Sequence, residues 1–406
     1  MRVLVLDGNE NQAVAAVRSL AAAGHEVHVA ADSGWSKAGW SRFAKSQLRY
    51  TAPQRDARAF IADLVRFASA SPGTLILPMT ERTTLPISAE RQSLLQVGAK
   101  LVLPDHAMVR RAFDKSATTA LAESLGIAVP RTELLCDPPG AATEALAAHL
   151  QFPVVLKAAT SEEIDGQQRV RATGAPVYAH NAAQFRAAHA EIARRASRVL
   201  VQSFVQGTGT GYFALAAHGT VRAEFAHRRI RDVRPTGSGS ALRESAPLDP
   251  RVAAAGRRML EALQWHGPAM VEFRVTADGT PVFLEVNGRF WTSLALAVHA
   301  GVDFPRLTAE LAERGDIQPV TAYRTGVRCR WLLGDVRHLL GVMRGRPRGY
   351  EGTFPSRLRT LRDVLLPVPG TYHDHWRWDD PAPELGDWLH FLFRRVPSRL
   401  APKPAA

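Results

Sequence analysis

Cysteine is almost absent from this sequence: Cys136 and Cys329 are the only two thiols in 406 residues. Two cysteines without metal-ligand spacing exclude a disulfide-framed secreted scaffold and a Cys-rich zinc module, so a reducing cytoplasm is the expected compartment. Long apolar runs are also missing. No stretch approaches the roughly 18 residues that a membrane-spanning helix needs, and the first apolar run meets Asp7 too early to serve as the core of a secretory leader. Lysine is scarce, with six among 51 basic residues. The turn after the first apolar run lacks G-x-G-x-x-G, which makes a dinucleotide-dependent oxidoreductase a poor fit. With 46% apolar and 22% charged residues, the composition excludes a disordered chain, a collagen and a coiled coil, and no internal repeat is found.

The formal net charge of +13 invites a nucleic-acid reading, since clustered cations neutralise phosphates. The cations are almost all arginine and spread along the chain, as codon usage would spread them, so no dedicated nucleic-acid surface is expected. Against this background an interior lysine stands out. A compact ammonium suits gripping a single phosphate oxygen, which singles out Lys115 and Lys157.

Residues 2–6 read as a buried strand, followed by a helix carrying Ala13, Val14, Val17, Leu20 and Ala21 and by a second strand at Val27–Ala30. Further strands fit Thr74–Pro78 and Leu101–Leu103, with helices around Ala57–Ala68 and Thr83–Val97. Residues 1–107 thus form an N-terminal α/β domain with a parallel sheet. A helix is expected over Ala107–Leu125 and a strand over Gln151–Lys157. From Val199 onward, short strands at Val199–Val205, Tyr212–Ala217, Val221–Arg229, Ala269–Val275 and Thr280–Val286, with a helix over Arg251–Leu263, suggest an antiparallel α+β body. The expected division is 1–107, a small lobe 108–198, a large lobe 199–315 and an Arg- and Trp-rich C-terminal extension 316–406.

The most informative stretch is Val271-Glu272-Phe273-Arg274, an Asp278-Gly279 turn, and Phe283-Leu284-Glu285-Val286-Asn287-Gly288-Arg289-Phe290. Alternation puts Glu285, Asn287 and Arg289 on one face of a hairpin, with Glu272 able to lie across from them. Carboxylate and amide oxygens are hard ligands suited to Mg²⁺ at a phosphate site. A second segment, His227 to Ser240, puts Arg229 and Arg231 on one face by alternation, before a small-residue loop containing Thr236, Gly237 and Ser238. Together these could hold an anionic carboxylate substrate.

These motifs resemble the ATP-grasp superfamily, in particular its carboxylate–amine ligase branch, with a layout similar to biotin carboxylase and carbamoyl-phosphate synthase. The resemblance covers residues 1 to about 315 and implies a two-lobed ATP-grasp fold. It implies ATP and Mg²⁺ or Mn²⁺ as cofactors, with Glu272, Glu285 and Asn287 as metal ligands. Lys115 and Lys157 would meet the nucleotide phosphates, and Gln202, Ser203, Phe204 and Val205 would line the adenine pocket. Arg289, with Lys157, would act on the transferred phosphoryl group, and Arg229, Arg231, Thr236, Gly237 and Ser238 would hold the acid. The chain departs from the family at Thr208–Gly211, where many relatives place a ribose-binding acid. It departs again at Ser161–Gly174, a phosphate-covering loop with few glycines, where Arg169 and Arg171 could substitute by charge.

The implied activity is an ATP-dependent ligase that makes an acyl-phosphate from a carboxylate and joins it to an amine. The alternatives are a carboxylase acting on bicarbonate and a non-catalytic nucleotide-binding protein of the same fold. Residues 321–406 carry 15 basic and 8 acidic side chains. They fit a cap on the ligase, a partner-binding surface or a peripheral membrane contact, and the chain as a whole is compatible with a homodimer.

Overall fold

The computed structural model describes residues 1–136, 138–237, 239–347, 353–366 and 368–395. The N-terminal strands β1 (Arg2–Val5), β2 (Glu26–Ala31), β3 (Ser46–Arg49) and β4 (Leu75–Leu77) form a parallel sheet in the order β3-β2-β1-β4. Helices Asn11–Ala22 and Ala57–Ser69 flank it, the second capped by Asp56, whose carboxylate accepts from the N–H groups of Arg58 and Ala59. The strand expected at Leu101–Leu103 does not form. Lys100 alone bridges to Leu75; the Leu103 carbonyl accepts from the Arg91 guanidinium instead. Next to it the Val102 carbonyl presses on Gly267, where a Cβ would come within 2.5 Å.

Two of the expected helices are each divided. Thr83–Val97 becomes Glu81–Ala89 and Arg91–Gln96, and Ala107–Leu125 becomes His106–Phe113 and Lys115–Ser124. At the second break Asp114 is extended, and its side chain caps the new helix by accepting from Ser116 and Ala117 N–H. An aspartate at the cap position is a helix-start signal that the continuous apolar periodicity masks.

The middle of the chain forms β5 (Thr132–Leu135), β6 (Val154–Ala158), the hairpin β7 (Glu162–Ile164) and β8 (Val170–Ala172), β9 (Val177–Ala179) and β10 (Val199–Ser203). Strands β5-β10-β6-β9 make an antiparallel sheet. Val154, Leu156, Val199 and Val201 face a core shared with Phe185 and Ile192 of helix Ala182–Ala193. By alternation Val155, Lys157, Tyr178, Leu200 and Gln202 occupy the other face, and the register sets them side by side.

The large sheet contains β11 (Thr208–Ala217), β12 (Thr220–Asp232), β13 (Ser240–Ser245), β14 (Gly267–Val275), β15 (Pro281–Asn287), β16 (Arg328–Arg330) and β17 (Thr371–His373). Its order is β15-β14-β11-β12-β13-β16-β17, antiparallel except for the last pair. Strands from beyond residue 315 therefore complete this sheet. Tyr212, Val271 and Phe273 on one face pack on helix Pro250–Ala262, while Phe213, Phe225 and Trp291 on the other share an apolar core with Val3, Val14 and Phe304. That shared core joins the N-terminal domain to the large sheet. Among the described residues no helix is long and apolar enough to cross a membrane.

Candidate functional site

The β14–β15 register sets Glu272 directly opposite Glu285 and Asn287 opposite Met270, with a bulge between Glu272 and Phe273. Both carboxylates thus lie on one face of the hairpin. Burial pushes Glu272 up from the ordinary carboxylate range, and the neighbouring Glu285 charge pushes it further, against Arg229, Arg289 and Lys157. Burial would raise Glu285 too, but Lys115, Lys157, the Asn287 amide and Arg289 outweigh it and hold it low. Two carboxylates in one poorly hydrated spot repel unless a cation lies between them.

The lysines come from elsewhere in the chain. Lys115 starts the helix after the break at Asp114, donates from Nζ to Ser161 Oγ at 2.7 Å, and lies 3.6 Å from Glu285 Oε2. Its backbone N–H donates to Ala159 O at 2.7 Å, which ties the helix start to the end of β6. Lys157 projects from β6, is almost fully buried, and donates a long 3.4 Å hydrogen bond to Leu284 O. Burial lowers its pKa, with Glu285 and Glu272 opposing. Arg289 donates to Asn287 Oδ1 at 3.0 Å, so the guanidinium and the amide hold each other in place.

Glu81, which alternation and motifs did not single out, also reaches this cluster. It opens a helix just beyond the carboxyl end of β4, lies 4.0 Å from the Arg289 Nε, and is buried. Burial raises its pKa against the pull of Arg289 and Lys115. Its place beyond the end of a parallel strand is the usual site for functional groups in open α/β sheets, and that position is the signal by which it could have been found.

Of the residues expected to line the adenine pocket, Gln202 is buried and donates to Thr132 Oγ1 at 2.9 Å. The N–H groups of Ser203 and Phe204 donate to Arg131 O and Pro153 O, so their donors are committed to the fold. Val205 N–H makes no hydrogen bond among the described residues. The exposed Phe204 ring meets Tyr178 edge-on at 6.1 Å, and the Arg274 guanidinium lies over the Phe204 ring at 5.8 Å. Tyr178, also missed in the sequence, shares the Lys157 face and adds an aromatic wall there. In the hairpin β7–β8, Arg169 and Arg171 are both paired to Asp165, at 3.1 and 2.6 Å. They stiffen the hairpin instead of standing free, and its tip is tied to the N-terminal domain by the bond from Ala57 N–H to Gln168 O.

The expectation that Arg229 and Arg231 share a face fails. A bulge at Ile230 pairs Arg229 with Arg243 and Arg231 with Leu242, adjacent positions on β13, so the two arginines point to opposite sides. Arg229 stays exposed with no hydrogen bond or ion pair among the described residues, yet acts electrostatically on Glu272. Arg231 is mostly buried, donating to Asp335 Oδ1 at 2.5 Å and to Asp363 O at 2.8 Å. Thr236 and Gly237 are exposed in the β12–β13 turn, where Gly237 adopts a φ of 96°; Ser238 lies outside the described residues. His227 lies in the row running across the sheet through Gly211 and Glu272, bonded to Ser293 Oγ at 2.8 Å and stacked on Phe213.

Among the described residues no cluster of three or more His, Cys, Asp or Glu has the geometry of a closed metal site. The hairpin instead offers two carboxylates and an amide, a partial set that suits a cation shared with a phosphate-bearing ligand.

Residues 195–334 match the family described as ATP-grasp in the biosynthetic pathway with Ter operon. No curated protein matches the chain. Among solved structures, the biotin carboxylase of Campylobacter jejuni aligns with a TM-score of 0.61 at 18% identity, covering 80% of this chain and 74% of that one. An L-amino acid ligase from Bacillus licheniformis aligns at 0.58 and 16% identity, covering 79% and 77%. The N5-carboxyaminoimidazole synthetase of Staphylococcus aureus, solved with ADP, aligns at 0.61 and 12% identity, covering 80% of each chain. At these identities the likeness is one of fold, and the fold is that of the ATP-grasp superfamily.

Proposed function

We propose that this ATP-grasp chain is an ATP-dependent ligase that activates a substrate carboxylate as an acyl-phosphate and joins it to an amine. The observation that carries the reading is the Glu272–Glu285 pair, aligned across β14 and β15 and surrounded by Lys115, Lys157 and Arg289. ATP would lie between the β5-β10-β6-β9 sheet and this hairpin, its base against Phe204 and Val205 and its phosphates toward the two lysines. Glu272, Glu285 and Asn287 would hold Mg²⁺ or Mn²⁺, which when bound neutralises phosphate oxygens. Arg229, exposed and without an ion pair among the described residues, is the cation best suited to meet the acid. Arg231 does not share that role, because Asp335 and the Asp363 carbonyl already occupy its guanidinium.

A carboxylate oxygen attacks the γ-phosphorus, the bond to the β-phosphate oxygen breaks, and ADP leaves. The amine nitrogen then attacks the acyl carbon, phosphate departs, and the amine's proton is lost. The protein's part is positioning and charge neutralisation, the main needs of phosphoryl transfer. The test is ADP release with Mg·ATP and a panel of carboxylates paired with amines, with Glu285→Ala run in parallel. Turnover that requires both substrates and falls at least about a hundredfold in the variant is expected; a carboxylate that needs no amine, or a variant as active as the parent, would overturn the reading.

A further inference from the structure

Exposed large apolar side chains concentrate in the last part of the chain. Leu340 and Met343 lie on helix Leu332–Arg344, Leu358 and Leu365 on helix Arg357–Leu365, and Leu366 just beyond it. Leu358 is 83% exposed and Leu365 67%, far above what a solvent-facing leucine needs to satisfy packing. The arrangement is periodic. On the second helix Leu358, Leu361, Arg362 and Leu365 fall at i, i+3, i+4 and i+7, while Thr360 and Val364 face inward. On the first, Leu340, Met343 and Arg344 recur on the outer side, while Leu333, His338 and Val342 are buried. The two helices pack against each other, so their outer stripes form one surface.

The charge on that surface is predominantly positive. Arg344, Arg357, Arg359 and Arg362 are all exposed. Of the two acids on these helices, Asp335 is buried against Arg231 and Arg330, and Asp363 is paired with Arg359 and Arg362. Leucines standing outward between arginines are suited to a soft, anionic surface: aliphatic tips enter an acyl layer while guanidinium groups reach phosphate headgroups. The excess of arginine around the leucines matches anionic headgroups in charge, which favours a lipid surface over a protein partner. We propose that helices Leu332–Arg344 and Arg357–Leu365 dock the protein on an anionic phospholipid membrane. Behind this face, the inner side of helix Leu332–Arg344 rests on the β12–β13 turn, where Gly341 lies against Pro235 and His338 Nδ1 bonds to Asp232 O at 2.6 Å. The inference does not depend on the ligase reading.

The experiment is co-sedimentation of the full chain with vesicles of phosphatidylcholine alone and of phosphatidylcholine mixed with phosphatidylglycerol, over a range of salt. The protein is expected to pellet with the anionic vesicles, to release as salt rises, and to ignore the neutral ones. Leu358→Ser with Leu365→Ser, at exposed positions that should leave folding intact by thermal unfolding, is expected to weaken binding about tenfold or more; Arg357→Glu with Arg362→Glu should abolish it. Absence of binding to either vesicle overturns the proposal, as does binding that both double variants retain. So does salt-independent self-association in ultracentrifugation that the leucine variant abolishes while vesicle binding is nil, since the face would then be a protein interface.

Discussion

At the scale of single residues, the site is defined by charges forced into a place where water is scarce. His227 shows the consequence most clearly: burial, aided by Arg243 and Arg229, pulls its pKa from 6.5 down to about 3. Below pH 6.5 an unfolded chain would protonate this ring while the native ring stays neutral, so native stability falls as pH drops from 6.5 toward 3. His227→Phe keeps a ring on Phe213 and removes that proton. Urea unfolding of both proteins at pH 7 and at pH 4.5 is expected to show an acid-induced loss smaller by about 2–3 kcal/mol in the variant. An equal loss in both proteins would mean that His227 is hydrated or already charged in the native state. Lys157 and Glu272 belong to the same class, each held away from its ordinary range by burial. Such groups were legible in the sequence because a lysine or glutamate inside an apolar run is costly without a task. Glu81 escaped because its run, Pro78-Met79-Thr80-Glu81, reads as an ordinary helix start.

At the scale of elements, period-two and period-3.6 patterns placed β1, β2, β10, β14, β15 and helix Pro250–Ala262, and brought Glu272 and Glu285 into one hairpin. What they missed are the irregularities that re-aim side chains. Ile230 is one: a single extra residue turns Arg231 away from Arg229, and no periodicity in Arg228-Arg229-Ile230-Arg231 announces it. The two arginines therefore make opposite predictions. Arg229→Ala should leave stability within about 0.5 kcal/mol and raise the KM for an anionic acid about tenfold or more. Arg231→Ala removes one partner of the buried Asp335, which keeps Arg330; it should cost about 2–4 kcal/mol in denaturant unfolding with KM little changed. If Arg231→Ala raises KM while stability holds, the bulge does not exist in solution. The break at Asp114 is the helical counterpart, since it makes Lys115 the first residue of a helix and so brings its ammonium within reach of Glu285.

At the scale of the whole molecule, long-range ion pairs join parts of the chain whose connection no local pattern reveals. Lys37, one of the six lysines, is buried, donating to Asn11 Oδ1 at 2.5 Å and to Asp387 Oδ1 at 2.8 Å. Asp387 also accepts from the Trp331 indole at 2.6 Å. Arg18 donates to Asp380 at 2.8 Å and to the carbonyls of His375 and Asp380, while Arg243 on β13 pairs with Asp374. The segment from Asp374 to Asp387 therefore fastens the N-terminal domain to the large sheet, and the C-terminal extension belongs to the folding unit. Removing one partner of such a pair leaves a buried charge exposed to no solvent, and that penalty exceeds what the pair itself contributes. Asp387→Ala is expected to cost about 3–5 kcal/mol in urea unfolding, in a single transition that includes the N-terminal domain. Lys37→Met combined with Asp387→Leu removes both charges and keeps most of the volume, and should recover more than half of that loss. The comparison isolates the buried charge from the packing: if the double variant is as unstable as Asp387→Ala, the hydrogen bonds to Asn11 and Trp331 hold the extension in place, and the ion pair does not.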